Sequence, residues 1–131
     1  MADVTGQQGS RPLKYTVTHY RKKEHTHEEF LKWIVEEHLP LALPVFKKHG
    51  IISYSLQMQK MRPTWDFAGF DCVLEHTLPD MQTIQKVMTD PDWALAVKDQ
   101  ENWVDTSKAL LSLGYQVPYL LESGEIVNMP K

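Results

Sequence analysis

Histidine is the residue type in this sequence best suited to acid–base chemistry. Its pKa lies near neutrality, so one side chain can both hold and release a proton. The chain has six histidines, and His19, His38 and His76 fall within or at the end of predicted regular elements. Tyr20, beside His19, adds a hydroxyl. Side-chain alternation along a strand leaves open which of His19 and Tyr20 faces inward.

His25 and His27 raise the question of a metal site, because one residue separates them. They flank a predicted helix start, so their side chains point in different directions. No cysteine or third histidine lies near them in sequence. We therefore predict no metal. Glycine-rich phosphate loops and a Gly-x-Ser-x-Gly motif are also missing, so we predict no nucleotide cofactor and no serine-hydrolase site.

The element that positions His38 is a predicted helix beginning at Thr26. Thr26 and Glu29 have capping-box spacing, in which each side chain bonds the backbone N–H of the other residue. Apolar residues then recur at three- and four-residue spacing on the side that carries His38. Pro40 and Pro44 remove backbone donors and predict the end of the helix near His38. A histidine there could instead bind a free carbonyl of the helix end.

The other periodicities predict the element order strand, helix, strand, strand, helix, strand. Strands are predicted over residues 14–21, 51–60, 65–77 and 115–122, and helices over 26–38, 81–88 and 92–113. This order is typical of the ferredoxin-like βαββαβ fold, an α+β arrangement with helices on one face of a sheet. The methionines Met81 and Met88 are predicted in its core. We expect Tyr, Ile and Met side chains on the bare sheet face, and therefore a homodimer that buries that face.

Length and composition limit the classes of function. A chain of 131 residues predicts one domain, which we assign to residues 14–127, between a flexible arm (1–13) and a tail (128–131). Fourteen Lys plus Arg against 17 Asp plus Glu leave a net charge of −3 and no stripe for nucleic acid. One cysteine, no long apolar run and no secretory signal predict no disulfide, no membrane span and a cytoplasmic location.

Two short motifs resemble a known family. Glu-Glu-Phe at residues 28–30 and His-Leu-Pro-Leu at residues 38–41 are similar to the opening of EthD-like dimeric α+β barrel proteins. Within that family the chain resembles the fungal atrochrysone carboxylic acid decarboxylases of aromatic polyketide pathways. This resemblance implies cofactor-independent removal of carbon dioxide from an aromatic polyketide acid. A plant cyclase of the same fold uses a tyrosine and a histidine at positions that are Val87 and Trp93 here.

The implied reaction needs two protein groups, because the substrate's own carbonyl accepts the electrons left by carbon dioxide. One group donates a hydrogen bond to that carbonyl, and the other is an acid, implied to be histidine, that protonates the carbon. The candidate catalytic residues are His76, His38, His19 and Tyr20. The candidate walls of an apolar substrate cavity are Phe30, Trp33, Ile34, Tyr54, Asp71, Cys72, Leu74, Trp93 and Trp103.

Each assignment has an alternative. His76 at a strand end could be solvated, and Trp93 and Trp103 could be core residues. Asp71 could orient a histidine or face water at the sheet edge. The alternative functions are a cofactor-free anthrone oxygenase, a polyketide cyclase or a dehydratase of the same fold, and a non-enzymatic module that binds a polyketide. A requirement for dioxygen would identify the oxygenase, and binding without turnover would identify the module.

Overall fold

The computed structural model describes residues 11–58 and 69–130. Within these ranges the chain forms a four-stranded antiparallel sheet in the order β2-β3-β1-β4, with helices packed on one face. The strands are β1 (Leu13–His19), β2 (Ser53–Met58), β3 (Cys72–Leu78) and β4 (Leu110–Gly114). β1 lies inside the sheet because it pairs with both β3 and β4. The predicted ferredoxin-like α+β fold is confirmed.

The first helical segment is long and contains a π-helical turn near its middle. It consists of α1 (His27–Trp33), a π-helical turn (Ile34–His38) and α2 (Leu39–Lys48). The predicted capping box is confirmed, since Thr26 Oγ1 and the Glu29 carboxylate accept each other's backbone N–H at 3.1 and 2.9 Å. The predicted helix end at the π turn is wrong. The Leu39 N–H donates to the Ile34 carbonyl, and Pro40 then falls in the first turn of α2, where no donor is required.

The second half of the chain has shorter helices than predicted. They are α3 (Met81–Thr89), α4 (Pro91–Ala96) and α5 (Gln100–Trp103). The predicted helix over residues 92–113 is wrong beyond Trp103, because its last part forms β4 on the free edge of β1. The strand predicted over residues 115–122 is also wrong, since that segment is irregular apart from an isolated bridge.

The main core lies between the sheet and the first helical segment. Buried there are Val17, Phe30, Trp33, Ile34, Cys72, Leu74 and Val104. Tyr54 and Leu56 of β2 pack against this core. The opposite sheet face is largely polar and carries Thr16, Thr18, Ser53, Ser55, Glu75 and Thr77. The expectation of Tyr, Ile and Met on the bare face is therefore wrong. It no longer supports the prediction of a homodimer.

Three segments, residues 1–10, 59–68 and 131, lie outside the described residues. They include most of the predicted arm and the start of the predicted third strand, so the domain limits at residues 14 and 127 stay predictions. Across the described ranges, every helix is too short or too polar to cross a bilayer. The cytoplasmic location stays a prediction as well.

Candidate active site

A cavity of about 330 Å³ lies between the helices and the sheet. This volume is within the range of small-molecule sites. The lining residues are Tyr15, His19, His38, Phe46, Ile51, Leu74, His76, Ile84, Val87, Met88, Trp93, Val97 and Gln100. Within the described part of the chain, the lining contains no Lys, Arg, Asp or Glu. The cavity is therefore an apolar chamber, and its ionisable groups are imidazoles and a phenol.

His38 ends the π-helical turn, a feature that is frequent at functional sites. Its Nδ1–H donates to the Ala96 carbonyl at 2.9 Å. The imidazole stacks on the Trp33 ring, with centroids 5.5 Å apart, and meets the Trp93 ring edge-on. Burial lowers the pKa of His38, and the hydrogen bond to Ala96 opposes this shift. His38 is therefore neutral at pH 7 and held in one orientation.

His76 faces the same cavity from β3. Its Nδ1–H donates to the Tyr15 carbonyl at 3.0 Å. The rings of Phe46 and Tyr54 meet the imidazole edge-on, with centroid distances of 5.4 and 4.9 Å. The side chain is buried, which lowers the pKa of His76 against the opposing effect of its backbone hydrogen bond. His76 is therefore also neutral at pH 7 and is surrounded by aromatic rings.

These two hydrogen bonds fix the tautomer of both imidazoles. A carbonyl oxygen only accepts, so Nδ1 carries the proton in His38 and in His76. Nε2 is then a lone-pair acceptor, and no residue in the described ranges bonds to it in either ring. At neutral pH both side chains therefore offer the cavity a base. Either ring becomes an acid after it has taken up a proton.

His19 lies at the end of β1 and also lines the cavity. Its Nδ1 is buried without a hydrogen-bond partner among the described residues. Burial, and then the charges of His38 and His76, lower the pKa of His19 to about 4. We call these three residues the histidine cluster. Tyr20 does not line the cavity, and the Lys108 ammonium lies 6.0 Å from its ring centroid.

The predicted tryptophans divide between the cavity wall and a supporting layer. Trp93 lines the cavity, as does Leu74. Trp33 lies behind the wall and stacks on His38. Trp103 stacks in turn on Trp33, with centroids 5.5 Å apart and ring planes 7° from parallel. Trp33 and Trp103 therefore orient a lining residue, and they do not line the cavity.

The other predicted wall residues lie around the cavity or in the core. Phe30, Ile34 and Cys72 are at most 1% exposed and belong to the core. Burial raises the pKa of Cys72 to about 12, so its thiol is not a nucleophile at neutral pH. The Tyr54 ring packs against His76, and its hydroxyl is buried without a partner in the described part of the structure. That hydroxyl is an unused donor beside the site.

Asp71 ties the start of β3 to the segment before α1 and does not line the cavity. Its carboxylate accepts from the Arg21 N–H at 2.8 Å, from the Arg21 guanidinium at 2.7 Å and from His27 Nδ1 at 2.7 Å. Burial raises the pKa of Asp71, but these hydrogen bonds and the Arg21 charge together hold it below its usual value. The carboxylate thus fixes the chain that leads into α1.

Asp71→Asn is expected to lower the free energy of unfolding by about 1–3 kcal/mol, because a buried carboxylate with three donors becomes a neutral amide. Urea unfolding followed by tryptophan fluorescence measures this loss. Asp99→Asn is the matched control, since Asp99 is exposed and its side chain makes no cap hydrogen bond. A control variant that loses as much stability as Asp71→Asn would contradict the special role of Asp71.

His25 and His27 have separate partners. His25 Nε2 bonds the Asn102 carbonyl at 2.8 Å, and its ring stacks on Trp103. His27 bonds Asp71. Over the residues that the structure describes, no group of His, Cys, Asp and Glu has a metal-site arrangement.

Sequence analysis missed part of the lining. The lining residues that were not predicted as site residues are Tyr15, Phe46, Ile51, Ile84, Val87, Met88, Val97 and Gln100. Tyr15 shares the strand side of His19, so alternation along β1 could have identified it. The others depend on how the helices pack, for which the sequence has no local signal. Met81 and Met88, predicted in the core, are 48% and 62% exposed, and Met88 borders the cavity.

The fold and the site define a class of small ferredoxin-like α+β proteins with an apolar, histidine-bearing cavity beneath the helices. The chain belongs to the EthD domain family, whose family model matches residues 22–107. This match covers more than half of the 131 residues. The resemblance drawn from residues 28–30 and 38–41 is confirmed.

Fungal enzymes and bacterial structures are similar to this chain. It is 36% identical over 132 residues to Dehydratase iacD of Pestalotiopsis fici, which covers 91% of this chain and 95% of that protein. It is 24% identical over 141 residues to Decarboxylase nsrE of Aspergillus novofumigatus, covering 98% and 92%. An EthD-family structure from Bacillus halodurans has a TM-score of 0.62, 17% identity and coverage of 81% and 99%. A dimeric ferredoxin-like protein from Thermobifida fusca has a TM-score of 0.56, 11% identity and coverage of 88% and 99%.

Proposed function

We propose that this protein is a cofactor-independent lyase that eliminates water from a hydroxylated ketone of aromatic polyketide metabolism. The observation that carries the proposal is the pair of neutral imidazoles, His38 and His76, whose Nε2 atoms are available to a ligand in an apolar cavity. The first step of such an elimination needs a base, not an acid. The name of the 36% identical relative, a dehydratase, supports the same reaction class.

The elimination proceeds through an enolate. His76 Nε2 takes the proton from the carbon beside the ketone, and the ketone oxygen receives the electron pair as an enolate. The electrons then return to form a carbon–carbon double bond as the bond to the β-hydroxyl breaks. The His76 imidazolium gives its proton to the leaving oxygen, water departs and the ring is neutral again. His38 Nε2 accepts the O–H of the same hydroxyl before the reaction and so orients it.

Neutral hydrogen-bond donors in the cavity lining can stabilise the enolate oxygen. Burial raises the pKa of Tyr15, so its hydroxyl stays protonated and can donate to the developing oxyanion. The Gln100 amide is a second donor in the lining. The rings of Phe46 and Trp93 supply flat apolar wall for fused rings. None of these roles requires a metal ion or an organic cofactor.

Decarboxylation of an aromatic polyketide acid is the second candidate. The fungal relative named decarboxylase, which aligns over 98% of this chain, favours it. An apolar cavity would also desolvate a carboxylate, while neutral carbon dioxide loses no hydration. A histidine acid must then take up a proton before it can protonate carbon, because His38 and His76 are neutral in the free protein. We rank decarboxylation second because the relative named decarboxylase is 24% identical to this chain, whereas the dehydratase is 36% identical.

Product analysis by mass spectrometry distinguishes the candidates. A β-hydroxy ketone and a β-keto acid on the same ring system are each incubated with the protein, with and without dioxygen. Loss of water from the ketone supports the proposal, and loss of carbon dioxide from the acid alone supports the second candidate. A requirement for dioxygen would indicate an oxygenase, and binding without turnover a carrier. His49→Gln is the control, because His49 bonds Asp90 outside the lining.

A homodimer is part of this proposal. A structural neighbour is described as dimeric. The edge strand β4 and the chain after it also expose apolar side chains, with Leu110 at 67%, Leu111 at 66% and Leu120 at 70%. A second copy would bury this surface. We expect sedimentation velocity at micromolar concentration to show twice the 15.2 kDa chain mass.

Leu110→Asp is expected to shift the dimer toward monomer, because it places a charge in the apolar contact. Met81→Asp is the matched control, since Met81 is 48% exposed at the start of α3, on another part of the molecule. A wild-type protein that sediments as a monomer would overturn the dimer and leave the cavity chemistry untouched.

A further inference from the structure

The cavity offers an anionic ligand no permanent positive charge. Within the described ranges its lining contains no Lys or Arg. Burying an unpaired carboxylate among apolar walls is strongly unfavourable. The groups that could become positive are the imidazoles of the histidine cluster. We propose that the cavity binds an aromatic carboxylate together with one proton, which His38 or His76 takes up, whereas a neutral ligand of the same shape binds without one.

The geometry of His38 and His76 leaves one site for that proton on each ring. Nδ1 already donates to a backbone carbonyl, at 2.9 Å in His38 and 3.0 Å in His76. Protonation at Nε2 therefore breaks no existing hydrogen bond, and it converts a lone pair into a donor that meets the carboxylate. The resulting ion pair is charge-assisted and shielded from water.

The aromatic surround favours the charged ring. His38 stacks on Trp33, and the His76 imidazole lies among the rings of Phe46, Tyr15 and Tyr54 at 4.9 to 5.4 Å. A cation over the face of an aromatic ring is stabilised when it is removed from water, and Trp33 presents its face to His38. The rings do not charge in the free protein because burial outweighs this effect. The negative charge of a bound carboxylate supplies the additional stabilisation that the imidazolium needs.

We expect uptake of one proton because a single carboxylate balances the charge of one imidazolium, and a second buried charge would be unpaired. A charge on His38 or His76 also disfavours a proton on His19. The ionisable groups around the cluster do not replace this charge. Tyr15 and Tyr54 lie on the sheet side, and both phenols stay neutral because burial raises the pKa of each.

Charged groups also lie on the outer side of His38. Glu37, Lys98 and Asp99 line a surface groove that His38 borders. Two acids and one base give this groove no excess of positive charge. Cys72, opposite His19 on β3, stays a neutral thiol. The proton taken up with the ligand is therefore the charge that pairs a bound carboxylate.

Naphthoate and naphthamide form a matched pair of probes, since they share a ring system and differ in charge. Titration calorimetry near neutral pH, in two buffers of different ionisation enthalpy, counts the protons taken up. We expect about one proton with naphthoate and about none with naphthamide. The affinity for naphthoate should fall by up to about tenfold for each unit of rising pH, while that for naphthamide stays flat.

Variants of His38 and His76 test whether these two residues take up the proton. His38→Gln combined with His76→Gln should abolish uptake and weaken naphthoate far more than naphthamide, because Gln keeps a donor but cannot become charged. The two single variants keep the test decisive if the double variant does not fold, and each should weaken naphthoate selectively. His49→Gln should behave like wild type, because His49 lies outside the lining.

This inference rests on the proposed function only in placing the ligand in the same cavity, and the two can fail separately. Naphthoate binding without proton uptake, or uptake that persists in the double variant, overturns the inference and leaves the elimination chemistry standing. Naphthamide binding without any naphthoate binding does the same. If neither probe binds, both the inference and the cavity as the substrate site are overturned.

Discussion

His76→Gln is expected to lower kcat by about 10²–10⁴-fold, the usual contribution of a positioned acid–base group. The glutamine amide can still donate to the Tyr15 carbonyl, which His76 Nδ1 reaches at 3.0 Å in the wild type. The substitution therefore keeps the local hydrogen bond and removes the basic Nε2. Since this atom acts on the reacting carbon and not on binding, KM should change by much less than kcat.

Steady-state kinetics on the hydroxylated ketone that shows turnover measure this effect. A second observation separates chemistry from structure, namely the pH profile of kcat/KM. In the wild type kcat/KM should rise with pH through the pKa of the histidine base. In the His76→Gln variant this rising limb of the profile should disappear. His49→Gln should keep both the rate and the limb, because His49 bonds Asp90 away from the cavity. Unchanged kcat in His76→Gln would favour a protein that only holds its ligand.

The start of the first helix could be predicted because its signals are local. The capping box of Thr26 and Glu29 needs only the residues that form it. Alternation along β3 likewise places His76 on the side of Leu74. The π-helical turn that ends at His38 could not be predicted from the sequence. The two prolines after it favoured a helix end, whereas the chain accommodates Pro40 by one π-helical turn.

The last third of the chain could not be assigned from local pattern. Leucines at positions 110, 111 and 113 are compatible with both a helical and an extended segment. The extended form is stabilised by pairing with β1, because the backbone groups at the edge of β1 need hydrogen-bond partners. The cavity walls from α2, α3, α4 and α5 likewise depend on tertiary packing, because residues such as Phe46 and Gln100 meet only after the helices pack on the sheet.

Acidification from pH 6.5 to 4.5 is expected to destabilise the protein. The pKa of His19 is about 4 in the folded protein against an ordinary 6.5. Between these values the unfolded chain binds a proton that the folded chain does not, so the free energy of unfolding falls as the pH falls. From pH 6.5 to 4.5 the loss from His19 is about 2 kcal/mol, because the full slope of about 1.4 kcal/mol for each pH unit is reached only between the two pKa values. His38 and His76, whose pKa values burial also lowers, act in the same direction.

Urea unfolding at a series of pH values measures this slope. The ordinary pKa of Asp71 and Asp90 is 3.8, and in the folded protein both pKa values are lower. The stability that these carboxylates contribute is therefore present above pH 3.8 and is lost only as the pH falls below it, outside the window. His19→Gln removes the strongest titrating contribution and should flatten the curve between pH 6.5 and 4.5. An equal slope in the variant, or constant wild-type stability over this window, would contradict burial of His19 as the cause of the pH dependence.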